Sequence, residues 1–430
     1  MVNRVSKAFS HAAGALSMFL AGVAQATDVG TPLTPEISVA QESSYPFQLS
    51  AAQDAEGNFA VVWPASSSTV DSSGKTAAFS YRRIAADGTP LTSVVPVGFT
   101  ASVYRQSGIA MDAAGDFVLA WGCYDIHASP PSAATVCAQV FNPDGTAKTG
   151  QIQVATQVFP TGLYAIEDAG FNSLAVAMNA AGDFVVAMTF IADYQKLLET
   201  HIQYVQTRRF HLDGTPYGDP RQLAYQKGLG WTTTFKDVNI SMSSSGDYMV
   251  TWQSRQSGNF AKAEFFSADG TASSKVTSLP LRVQKATTQT YSTTLANNGD
   301  VLIALAAAPS NGSTATATLY LKRCSNQCKK QHAAVAIGSR PTPSSSSGAV
   351  LSVAATPSGG AIVGWGNSAT NALTAAVFDA NNNLVGQPFA LGADDVPSDR
   401  DQHLEILVNP NSDLIAVWGQ IKARVFQGQQ

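Results

Sequence analysis

Gly115-Asp116-Phe117-Val118-Leu119-Ala120-Trp121 and Gly246-Asp247-Tyr248-Met249-Val250-Thr251-Trp252 are two copies of one pattern, a tight turn followed at once by an apolar strand ending on Trp. Weaker copies start at Gly57-Asn58, Gly182-Asp183, Gly299-Asp300, Gly359-Gly360 and Ser412-Asp413. The matching positions 58, 116, 183, 247, 300, 360 and 413 lie 53 to 67 residues apart. A period of that size points to a small sheet repeated along the chain.

Each unit carries the same internal order. In the third, Ser173 to Asn179 alternates, Ala180 to Asp183 turns, and Phe184 to Phe190 is densely apolar. Gln203 to His211 alternates again, and Leu212-Asp213-Gly214-Thr215 turns into a short strand near Arg221 to Ala224. Alternation bounded by Gly-containing turns is the signature of strands joined by hairpins. The Asp-Gly turn recurs at Asp87-Gly88, Asp144-Gly145 and Asp269-Gly270, with glycine supplying the positive φ that such hairpins need. Four antiparallel strands repeated radially make a propeller blade, so the expected fold is all-β, a seven-bladed β-propeller.

The two ends of the chain bear on how the ring closes. The last unit stops at Val425-Phe426-Gln427-Gly428, before any outer strand. The stretch Asp28-Val29-Gly30-Thr31-Pro32-Leu33-Thr34 mimics Asp87-Gly88-Thr89-Pro90-Leu91-Thr92. The N-terminal segment up to about Ala40 is therefore expected to supply the outer strand of the last blade, leaving no open edge. The pattern Gly-Asp-Phe-Val-Val-x-Trp followed by Asp-Gly-Thr-Pro resembles the repeats of exported bacterial β-propeller proteins. The resemblance spans nearly all of the chain after residue 26, and its motifs are structural. Blade five departs most, with Leu305 at the Trp position and Cys324-Ser-Asn-Gln-Cys328 in place of the Asp-Gly turn; blade three has Met188 at the Trp position.

Composition fits this reading. The 430 residues are 45% hydrophobic and 13% charged, which suits a large β core with many short turns. Arg4 and Lys7, the short apolar stretch Ala12 to Val23 and Ala24-Gln25-Ala26 match a signal peptide cleaved near Ala26. The expected organisation is a signal peptide over 1–26 and one propeller domain over 27–430, secreted or periplasmic, with no membrane insertion of the mature chain. Removal of 1–26 leaves 24 basic against 30 acidic groups, a formal charge of −6. That balance, without a concentrated basic patch, argues against a nucleic-acid partner. The four cysteines form two local pairs, Cys123 with Cys137 and Cys324 with Cys328. Disulfides are the natural reading for an exported chain. Zinc would need more than CxxxC with His332 nearby, so neither a metal nor another cofactor is expected.

Catalytic signatures are missing: there is no GxSxG, HExxH or Walker A loop. The repeated Trp63, Trp121, Trp252, Trp365 and Trp418 are expected to pack between blades, and the turn aspartates to hydrogen-bond within their turns. A partial likeness to the sialidase Asp-box would require an arginine cluster, for which Arg82, Arg105, Arg208, Arg209 and Arg221 are the available groups. Length variation concentrates in the second-to-third and inter-blade connections, which open on one face of a propeller. On that face Phe159, Tyr164, Phe171, Tyr194, Tyr225, Trp231 and Phe235 fall in or beside the long inserts of blades two to four. Loops on a rigid scaffold are where binding concentrates, and aromatics there stack on sugars or anchor protein interfaces. The expectation is a recognition module for a protein or glycan ligand. The alternative is a carbohydrate-active hydrolase or lyase, which would draw on Glu167, Asp168, Glu199, Asp219 and Asp237.

Overall fold

The computed structural model describes residues 29–40, 49–65, 77, 79–98, 106–123, 133–158, 166–194, 200–229, 235–255, 259–283, 286–309, 316–341, 350–367, 372–393, 403–419 and 421–428. Among the described residues the strands fall into seven antiparallel sheets, six of four strands and one of five. The fold is a seven-bladed β-propeller. In blades one to six the strands pair in chain order from an inner to an outer strand, except that in blade five both Lys330–Gln331 and Val335–Pro341 pair with Thr316–Ser325. The inner strands, which surround the axis, are Ser50–Gln53, Ser107–Met111, Ile166–Met178, Phe235–Met242, Ala286–Leu295, Leu351–Ala355 and Leu404–Val408.

Blade seven closes as the two chain ends imply. Its outer strand is Ile37–Ser38, paired antiparallel to Lys422–Phe426. Gly30 N donates to Gln427 O at 2.8 Å, Gln427 N to Thr31 O at 2.8 Å, and Leu33 N to Val425 O at 2.8 Å. Val39 is fully buried between this blade and blade one, beside Trp63 and Val417.

The second strands are buried on both faces, which is why they read as continuous apolar runs. Trp63, Trp121, Trp252, Trp365 and Trp418 are all buried, as are Met188 and Leu305 at the same position. The aromatic layer is therefore packing between blades, and the two substitutions fill the same space with aliphatic side chains.

The turns between inner and second strands differ in detail from the expectation. In six of the seven turns the side chain that closes the turn lies four residues before the repeat position, not at it. In blade five that residue is Ala296, and Asn298 Oδ1 accepts from Asp300 N at 3.0 Å instead. Asp112 Oδ1 accepts from Ala114 N and Asp116 N, both at 2.9 Å. Asn179 does the same for Ala181 N and Asp183 N at 3.0 Å, and Asn409 Oδ1 accepts from Asp413 N at 2.8 Å. The acid after the glycine is thereby freed to meet a cation. Asp183 pairs with Arg209 at 2.9 Å, Asp300 with Arg323 at 3.1 Å, and Asp116 with Lys148 at 2.5 Å. The outer hairpins behave as expected: Asp87 Oδ1 accepts from Thr89 N at 2.9 Å and Thr89 Oγ1 at 2.7 Å, which holds the carboxyl below its ordinary range. At Gly182 the φ of +88° and the Leu212 side chain against the Cα leave no room for a Cβ.

Both cysteine pairs sit at bonding distance, Cys123 with Cys137 at a Cα separation of 5.7 Å and Cys324 with Cys328 at 4.7 Å. The second replaces the Asp-Gly-Thr hydrogen bonds with a covalent staple. Asn326, Gln327 and Cys328 all have positive φ there.

Candidate functional site

Two regions bear on function: the face on which the inserts open, and the channel along the axis. Blade three rises above the ring on the insert face. Its strands, Ile166–Met178, Phe184–Tyr194, Thr200–Phe210 and Arg221–Leu229, run 13, 11, 11 and 9 residues, against 5 and 6 for the first two strands of blade two. Pairing continues past the buried Met188 to Ile166↔Tyr194 and Thr200↔Leu229, with bulges at Phe171/Ser173 and Ile166/Asp168. At about 3.3 Å per residue, the six residues beyond Met188 carry this blade about 20 Å past the Trp layer.

The expected aromatics are distributed unevenly. Phe159, Tyr164 and Trp231 lie outside the described residues, as do the side chains of Phe171 and Tyr194. Tyr225 stands on the outer strand of blade three, half exposed, its ring 5.2 Å from that of its cross-strand partner Tyr204. Phe235 instead packs in the core between blades three and four with Val205, Val238 and Trp252. Its backbone N donates to Gln203 Oε1 at 2.5 Å. An insert that re-enters the sheet at an inner strand places its last apolar residue under the blade, so Phe235 supports the face from below.

Of the five carboxylates of the hydrolase reading, the two that are described lie apart. Asp219 is exposed in the turn between the third and outer strands of blade three, which opens on the opposite face. Asp237 lies at the insert end of the axis, with a φ of 50° and Lys236 Nζ at 3.8 Å. Glu199 and the side chains of Glu167 and Asp168 lie outside the described residues. The described arginines do not converge: Arg82 donates to Val39 O at 3.0 Å and Arg208 to Val154 O at 2.8 Å, while Arg209 and Arg221 pair with Asp183 and Glu264. Arg105 is outside the described residues.

The axial channel holds a cavity of about 640 Å³ lined by all seven inner strands. Its described lining is small, apolar or neutral-polar, with two titratable exceptions, Glu405 and His403. Both sit on the inner strand side of blade seven, two residues apart, with His403 nearer the insert face. Glu405 Oε2 accepts from Ala51 N of blade one at 2.7 Å. Depth within the ring pushes the Glu405 carboxyl up to about 8 against the smaller opposing effect of that hydrogen bond, and pushes His403 down to about 4. Both side chains keep some surface toward the channel, so their burial is depth below the protein surface rather than exclusion of water. In the sequence His403 is one of six scattered histidines without a ligand-spaced partner, and Glu405 belongs to no local motif. Their signal is positional, and it emerges only when the inner strands are aligned on the repeat.

No protein-family model and no curated protein matches the chain. Solved structures do. An ulvan lyase of a polysaccharide lyase family, bound to -[GlcA(1-4)Rha3S]-, superposes with a TM-score of 0.51 at 9% identity, over 94% of each chain. The Penicillium chrysogenum α-L-arabinanase complexed with arabinobiose gives 0.46 at 12%, over 83% of this chain and 99% of its own. The WD40 β-propeller domain of Doa1 gives 0.41 at 9%, over 91% and 97%. At these identities the likeness is one of fold. Among the described residues, no helix is long and apolar enough to cross a membrane.

Proposed function

We propose that this protein is an exported recognition module that binds a protein or glycan ligand on the face where the inserts of blades two to four open. The observation that carries this reading is the extension of blade three above the ring on that face, with Tyr225 exposed on its outer strand. A rigid wall beside variable loops is how propellers and other β scaffolds present binding surfaces. Tyrosine and tryptophan suit such surfaces because they offer large contact area at low entropic cost. Two local disulfides fit the oxidising compartment that the N-terminal 26 residues imply. The alternative, a carbohydrate-active hydrolase or lyase, would draw on Glu167, Asp168 and Glu199 beside the same face, and hydrolysis would generally need two of its carboxyl groups facing each other.

The test is to apply residues 27–430 to a glycan array and, in parallel, to capture partners on immobilised protein. Binding that falls at least tenfold in both Trp231→Ala and Tyr225→Ala supports the reading. Binding that survives both changes, or hydrolysis of an array glycan, overturns it.

A further inference from the structure

The channel repeats a contact from blade to blade, and blade seven breaks its chemistry. Eight residues before each repeat position, the inner strands carry Ser50, Gly108, Ala175, Asn239, Ser292, Ser352 and Glu405, all lining the cavity. This position touches the next blade one residue further along. Ser292 Oγ accepts from Val353 N at 3.3 Å, and Ser352 Oγ from Ile406 N at 3.2 Å. Asn239 Nδ2 donates to Thr293 O at 3.3 Å, and a Cβ at Gly108 would press on Val176. Glu405 makes the equivalent contact to Ala51 N, so a hydroxyl would serve the clasp equally well.

A glutamate stands alone in this place. The strands packed on Leu404–Val408 are Ser50–Gln53, Leu351–Ala355, Ala361–Asn367 and Leu414–Trp418, and none carries a charged or titratable side chain. His403 is the other titratable group along the described channel, and burial keeps it neutral at pH 7. One carboxylate oxygen meets Ala51 N, and among the described residues the other has no hydrogen-bond partner. The repeat thus offers a neutral residue for the structural contact, and the extra group is an acid that faces the open cavity without a countercharge among the described residues.

We propose that the central channel is a binding site for a small organic cation, an ammonium group, held by the Glu405 carboxylate with the ring hydroxyls and amide of Ser50, Ser352, Ser292 and Asn239 as further partners. A cation supplies the missing countercharge, and the cavity lies within the roughly 300–1,000 Å³ range of small-molecule sites. Binding requires the carboxylate form, so a cation entering the neutral acid expels its proton. This site stands apart from the loop face and does not depend on it.

The experiment is calorimetry of the folded 27–430 protein with n-butylammonium, with n-butanol as the uncharged control, in buffers of different ionisation enthalpy. The expected result is one site for butylammonium with proton release at pH 7. Affinity should rise about tenfold per pH unit toward the carboxyl's folded value and level off above it. Glu405→Ser, which restores the residue of blades five and six and keeps an acceptor for Ala51 N, should bind at least tenfold more weakly and lose the pH dependence. Glu405→Gln checks the same loss at constant size, and circular dichroism reports that both remain folded. Trp231→Ala should leave butylammonium binding unchanged. Equal binding of butanol, undiminished binding by folded Glu405→Ser, or no binding of butylammonium into the ~10 mM range overturns the proposal.

Discussion

Glu405 and His403 shift in opposite directions, and the consequence for stability can be worked out group by group. The Glu405 carboxyl, raised from 4.5 to about 8, binds a proton more tightly in the folded chain. Its contribution is full below the unfolded value and is lost as pH rises toward 8. His403, lowered from 6.5 to about 4, binds its proton more tightly when unfolded, so its contribution is lost as pH falls from 6.5 toward 4. Between about 4.5 and 6.5 the two slopes cancel; above 6.5 only the glutamate acts. Stability should therefore be flat across mildly acidic pH and decline from about pH 6.5 to 8. Urea unfolding at stepped pH checks this, and Glu405→Gln should abolish the decline. A wild-type profile flat from pH 6 to 9 would show that channel water already solvates the carboxylate. Nothing local in Gln402-His403-Leu404-Glu405 marks these residues, because an alternating strand with polar residues is the ordinary pattern. What distinguishes Glu405 is that Ser292 and Ser352 occupy its position, a comparison available from the chain once counting starts at the repeat.

At the scale of elements, the chain punctuates its hairpins with three interchangeable devices. Asx, Ser or Thr side chains close the inner turns, Asp-Gly-Thr closes most outer ones, and Cys324–Cys328 closes that of blade five. The hairpins were legible because glycine and Asx chemistry acts over four or five residues. The aromatic inserts were less so: whether Phe235 lies on a loop or under a blade depends on where the strand resumes, which is decided by packing against Val238 and Trp252. The two disulfides differ in the loop they close, with sequence separations of 14 and 4. Loop-closure entropy assigns about 3 kcal/mol to the longer and about 2 kcal/mol to the shorter. Cys123→Ala/Cys137→Ala should accordingly lower the urea midpoint more than Cys324→Ala/Cys328→Ala. The reverse order would mean that the second staple acts in the folded state, by holding the three left-handed residues of its turn rather than by restricting the unfolded chain.

For the whole molecule, closure decides whether seven blades behave as one body. Each blade buries its second strand against two neighbours, so an open ring would leave a blade face and a strand edge to solvent. The seam is held by contacts that span 390 and 391 residues of sequence, which makes the closing contacts the longest in range. Residues 29–40 supply the outer strand, the Thr34 hydroxyl that accepts from Val425 N at 3.0 Å, the Thr34 carbonyl that accepts from Arg424 Nε at 3.0 Å, and the buried Val39. The mimicry between Asp28–Thr34 and Asp87–Thr92 made this arrangement readable, since the same outer-strand sequence serves blade one within a hairpin and blade seven across the ring. A chain starting at residue 41 should keep six blades' worth of local hairpins yet lose cooperative unfolding. Lys422–Phe426 would then be exposed as an edge, and the protein should self-associate through it. Light scattering and calorimetric unfolding of the truncated protein test this, and a peptide of residues 27–40 added in trans should restore the monomer and the single transition. If the truncated chain stays monomeric and melts as one unit at the original temperature, the contacts between blades one and seven hold the ring without the strand, and closure is a matter of packing rather than pairing.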